Sequence, residues 1–60
     1  MKRRYCETYV APDGFTAEIW QRTSLWDDKI YYAADRFTKE PLFGGMLFPD
    51  VDSVKKALDQ

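Results

Sequence analysis

The chain predicts an α+β domain in which a three-stranded antiparallel sheet, an N-terminal hairpin plus a third strand, carries one short C-terminal helix packed on one face. Three observations predict it. Ala11-Pro12-Asp13-Gly14 separates two runs rich in Tyr, Thr, Val, Ile and Trp. A third run opens at Ile30-Tyr31-Tyr32, and Asp50 precedes a stripe of apolar residues at helical spacing.

The turn is the sharpest local signal. Proline presets the backbone angle at the second turn position, aspartate suits the third, and glycine takes the left-handed angle that follows. Such a type I turn closed by a glycine bulge joins antiparallel strands. Strands are therefore expected at about 3–10 and 15–23, where β-branched and aromatic residues dominate. The bulged turn sets Ala11 against Phe15, Tyr9 against Ala17 and Glu7 against Ile19.

Residues 24–38, SLWDDKIYYAADRFT, support two readings. As a strand, a two-residue turn at Asp27-Asp28 pairs Leu25 with Ile30 and Thr23 with Tyr32, and the strand runs to about Thr38. As a helix, Ser24 and Asp27 form a capping box. Trp26, Ile30, Ala33, Ala34 and Phe37 then make the buried stripe, giving a hairpin plus two helices. The strand reading is preferred because it gathers Tyr5, Tyr9, Phe15, Ala17, Ile19, Leu25, Ile30, Tyr32 and Ala34 on one nearly apolar face.

Gly44-Gly45 permits a sharp bend, and the apolar groups around it are expected to fold over the edge of the core. From Phe48 onward the chain reads as helical. Asp50 is the natural N-cap and Asp52 lies near the positive end of the helix dipole. Val51, Val54, Ala57 and Leu58 share one face, and Phe48 belongs to the helix's approach. So short a helix must dock on the sheet to persist.

Sixty residues make a single small domain, 1–60, near the lower limit for folding unaided. Cys6 is the one cysteine and there is no histidine, so no internal disulfide is available and no cofactor or metal is expected. Dense aromatic packing and self-association remain as sources of stability, the latter pointing to a homodimer. Ten aromatic residues (two Trp, four Tyr, four Phe) are more than a domain of this size readily hides. No apolar run approaches the ~20 residues of a membrane span, and the basic start is not followed by a signal-peptide core. With the lone thiol, these features place the expectation in the cytoplasm, with no membrane partner.

Without histidine the commonest general base is missing, Cys6 has no activating partner of that kind, and Gly44-Gly45 lacks the rest of a phosphate loop. The expectation is a non-enzymatic protein with no small-molecule substrate. The face opposite the expected core carries Arg4, Cys6, Thr8, Val10, Thr16, Glu18, Trp20, Arg22, Trp26, Tyr31, Asp35 and Phe37. Trp, Tyr and Arg are the side chains enriched at interface hot spots. Arg4, Trp20, Arg22, Trp26 and Tyr31 are therefore the candidate partner-binding residues, for another protein or for a second copy. Size and the lack of catalytic groups suggest a stand-alone regulator or inhibitor of the kind encoded by phages and mobile elements.

The alternative is a nucleic-acid-binding domain using the same face, since interleaved Arg and aromatic residues contact phosphates and stack on bases. Three strands followed by a helix are similar, in element order alone, to the arm-site DNA-binding domains of some phage integrases. The net charge of −1 and the presence of Glu18 and Asp35 among those Arg residues weigh against a polyanion.

Overall fold

The computed structural model describes residues 3–23 and 29–60. The order of elements is β1 (Arg3–Val10), β2 (Thr16–Thr23), β3 (Lys29–Asp35), a 3-10 turn (Phe43–Gly45) and α1 (Val51–Leu58). The strands form one antiparallel sheet in the order β1-β2-β3. Residues 29–35 are thus strand and not helix, and the preferred architecture is the one adopted.

The hairpin turn forms as its residues dictate. Gly14 takes φ +91°, its N–H donates to Ala11 O at 2.9 Å, and Ala11 N–H donates to Phe15 O at 2.8 Å. Asp13 Oδ1 accepts from Phe15 N–H at 3.0 Å. Tyr9 pairs with Ala17 and Glu7 with Ile19, as the turn requires.

Two register features depart from expectation, and both change which side chains share a face. A bulge interrupts β1 between Tyr5 and Glu7, so that Tyr5, not Cys6, stands opposite Trp20. A bulge adds one residue to one strand, and with a side-chain period of two that reverses everything beyond it. The second feature is the β2–β3 register. Thr23 pairs with Lys29, Arg22 with Ile30, and Trp20 with Tyr32, not Thr23 with Tyr32. The pairing leaves residues 24–28 as the connection. The expected two-residue turn at Asp27-Asp28, the partner position of Leu25, and Trp26 lie outside the described residues. The shift is an odd number of positions, so it reverses β3.

The face that receives α1 is consequently Ala17 and Ile19 of β2 with Ala33 of β3. These pack with Phe48, Val54 and Leu58, flanked by Tyr9, Tyr31, Leu42, Val51 and Ala57. Ile19 and Val54 are fully buried. Burying a side chain of this size is worth about 1.5–3 kcal/mol. Asp50 caps α1 by accepting from Ser53 N–H at 2.7 Å. Val51, Val54, Ala57 and Leu58 form its inward stripe, as the spacing predicts.

The strand β3 ends at Asp35, short of Thr38. Asp35 Oδ1 accepts from the N–H groups of Phe37 at 2.8 Å and Thr38 at 3.1 Å, and Lys39 closes the turn at φ +66°. Phe37 therefore lies in a turn and is 84% exposed, with the Arg36 guanidinium 5.7 Å from its ring centroid. The chain then returns along the outer edge of β3. Asp35 N–H donates to Glu40 O at 2.9 Å and Leu42 N–H to Ala33 O at 2.8 Å, while Tyr31 and Phe48 exchange main-chain bonds at 2.8 and 2.7 Å. This return occupies one sheet edge, and β1 is the other.

Candidate functional site

On the side of the sheet opposite α1, alternation and the two register features bring together Arg3, Tyr5 and Thr8 of β1, Glu18, Trp20 and Arg22 of β2, and Tyr32 and Ala34 of β3. Tyr5 meets Trp20 edge to face, with ring centroids 5.7 Å apart at 76°, an arrangement that aromatic quadrupoles favour. Tyr32 stands opposite Trp20 on the neighbouring strand and is only 8% exposed. Ala34 forms a main-chain bridge with Pro41 of the returning chain.

Polar contacts fix the indole. Trp20 Nε1–H donates to Glu18 Oε1 at 3.3 Å, and Lys39 Nζ donates to the same oxygen at 2.8 Å. The bond from Lys39, with that from Trp20, holds the Glu18 carboxyl below its ordinary range against the opposing effect of desolvation. The carboxylate of this grouping is thus spent on its neighbours. The Tyr5 hydroxyl is hydrogen-bonded to Thr8 Oγ1, so the rings at both ends are oriented.

The return of the chain raises a wall beside this floor and makes the face concave. One hollow of about 410 Å³ is lined by Arg3, Arg22, Tyr32, Pro41, Gly45 and Leu47. A second, about 330 Å³, is lined by Arg3, Trp20, Tyr32, Ala34 and Lys39. Arg3 and Tyr32 belong to both, so the hollows adjoin. Gly45, at φ +84°, sits where the wall bends, and left-handed backbone of this kind is natural for glycine.

Of the residues expected to bind a partner, Trp20 and Arg22 stand on this face. Tyr31 does not: it packs against the core on the helix side, because the β2–β3 register reverses β3. Arg4 pairs with Gln21, which places it on the helix side at the end of the sheet, because of the bulge in β1. Trp26 lies outside the described residues. Asp35 likewise leaves the face, turning its carboxylate to the backbone of its own turn. Phe37 is beyond the strand. Conversely Tyr5, Tyr32 and Ala34, expected beneath the helix, line the concave side, and Arg3 takes the place of Arg4. Neither displacement leaves a clear signal in the residues of β1 or the β2–β3 connection. The end of β3 does leave one, since Asp35 is a turn-capping residue ahead of Phe37 and Thr38.

The helix side holds a separate set of polar contacts. Lys55 Nζ lies 3.2 Å from Glu7 Oε1 and 5.6 Å from the Tyr9 ring centroid. Tyr9 donates its hydroxyl hydrogen to Asp59 Oδ1, a bond that raises the phenol above its ordinary value. These contacts tie α1 to the sheet.

No cluster of three or more His, Cys, Asp or Glu able to hold a metal occurs among the described residues. What the concave face offers is ring stacking, cation–π contact and charge-assisted hydrogen bonds from guanidinium groups. The chain matches no family model, no curated protein and no solved structure.

Proposed function

We propose that this chain is a non-catalytic binding module that takes a protein partner on the concave face formed by Arg3, Tyr5, Trp20, Arg22 and Tyr32. The observation that carries the reading is the gathering of Trp, Tyr and Arg on a concave face opposite the helix, with Trp20 and Tyr5 oriented by their contacts. Such side chains in partly desolvated hollows are where interface energy concentrates. A regulator or inhibitor acting by occupancy needs nothing more.

The test is a comparison of capture. Wild-type protein and the Trp20→Ala/Arg22→Ala variant are used as baits under identical conditions, after thermal melts show that both are folded. Loss of the captured protein with a folded variant supports the reading. Unchanged capture overturns it.

Charge sorting favours a second reading, a single strand of nucleic acid on the same face. The face carries Arg3, Arg22 and Lys39 against Glu18, and Asp35 is removed from it. That reading predicts affinity that falls linearly with salt on a log–log scale. No binding of an oligonucleotide at about 50 mM salt would exclude it.

A further inference from the structure

We infer that the segment this face takes is a short acidic stretch of another protein that also carries an aromatic or apolar side chain. The inference rests on the binding-face reading above and adds the chemistry of the partner.

Three features lead to it. First, Arg3 and Arg22 stand directly opposite one another on adjacent antiparallel strands and line the same hollow. A carboxylate lying between two guanidiniums is held by charge-assisted bonds from both. Arg22 also interacts within the chain, and Arg3, on the open edge strand, is the second arm. Second, Tyr32 floors this hollow and the adjoining one, beside Trp20. An anionic group held at Arg3 thus has an aromatic bed next to it for a neighbouring side chain. Third, the charge of this face is confined: Arg3 and Arg22 line one hollow, and Lys39 is paired with Glu18.

The third feature separates a peptide from a polynucleotide. Charge is screened over about 8–10 Å, and the molecule is 35 Å along its greatest extent. A nucleic-acid strand carries phosphate along its whole length, beyond the reach of the two Arg side chains that line the hollow. A peptide with carboxylates confined to a few positions meets only the Arg pair.

The probe is a short fluorescein-labelled peptide alternating glutamate and phenylalanine. It is compared by fluorescence anisotropy with a lysine–phenylalanine peptide and with an oligothymidylate of similar length, each over a salt series. The expected result is saturable binding of the acidic peptide alone. Arg3→Glu should weaken it at least about tenfold, with an unchanged melting temperature. Should Arg3→Glu melt early, Arg3→Gln serves as the same test with a smaller loss.

Equal binding of the lysine peptide, or no effect of either Arg3 variant in folded protein, overturns the inference. So does tighter binding of the oligothymidylate with a steep salt slope. Sedimentation showing a dimer whose formation Arg3→Glu abolishes also overturns it, by assigning the face to a second copy. If the acidic peptide fails but Trp20→Ala/Arg22→Ala still abolishes partner capture, the binding-face reading stands and only the partner's chemistry falls.

Discussion

At the scale of single residues, the core beneath α1 and the proposed binding face draw on opposite sides of the sheet. Ile19 is fully buried beneath α1, and truncating it to alanine should cost about 2–5 kcal/mol. A domain of this length has only about 3–9 kcal/mol in total. Ile19→Ala should therefore unfold the chain or lower its melting temperature severely, as read by circular dichroism. Tyr5, on the other face, is 47% exposed, and its ring contact with Trp20 is worth about 0.5–1.5 kcal/mol. Tyr5→Ala should lower the melting temperature by about 2–12 °C while weakening partner capture. Cys6, the bulged residue, is exposed, and its thiol should react with a disulfide reagent in the native state nearly as fast as in denaturant. Protection of that thiol would indicate that β1 is covered.

At the scale of elements, caps and turns carry a recognisable pH dependence. The Ser53 bonds hold the Asp50 carboxyl below its ordinary value, and the Thr38 and Phe37 amides do the same for Asp35. A carboxyl whose folded pKa is depressed binds protons more weakly folded than unfolded. Its contribution is complete above the unfolded value of about 3.9 and is lost as pH falls through the lower folded value. Stability should therefore decline below about pH 4, and Asp50→Asn or Asp35→Asn should flatten that decline in acid denaturation. Asp50→Ala should cost about 0.5–2 kcal/mol. That corresponds to about 4–8 °C per kcal/mol in a domain this small. Tyr9 works in the opposite sense: its raised phenol stabilises the fold below about pH 10, and that contribution is lost as pH rises through the folded value.

The same scale separates what local chemistry decides from what it leaves open. The hairpin, its register next to the turn, the cap at Asp50 and the inward stripe of α1 are legible in the sequence, because each is decided within a few residues. The faces of β1 beyond Cys6 and of β3 are not. An inserted residue in one strand and a longer connection each move the pairing by an odd step, and a strand reports such a step only through its neighbours. The adjacent pairs Tyr31-Tyr32 and Ala33-Ala34 put the same residue types on either face of β3. Trp20 and Arg22 are legible as residues of the face opposite the helix because β2 is the central strand, paired in the expected register with β1 next to the turn. Arg3, Tyr5 and Tyr32 are not, since their placement depends on the bulge and on the length of the β2–β3 connection.

At the scale of the whole molecule, one architecture solves two problems. The helix and the returning chain cover one sheet face and one edge, which supplies the core a small domain needs. On the opposite face Tyr5, Trp20 and Tyr32 stand among Arg side chains, while Phe15, Phe37 and Phe43 are exposed elsewhere. The net charge of the chain conceals this division, since the basic residues of the concave face are balanced by acidic ones elsewhere.

The central claim is that this concave face, and not the helix side, meets the partner. The most direct measurement is a two-dimensional 1H–15N NMR titration of the labelled protein with the captured partner or the acidic peptide. The account predicts the largest shifts at Arg3, Tyr5, Trp20, including its indole N–H, Arg22 and Tyr32, with α1 nearly unmoved. Shifts concentrated on Val51–Leu58, with the Trp20 indole unperturbed, would contradict it.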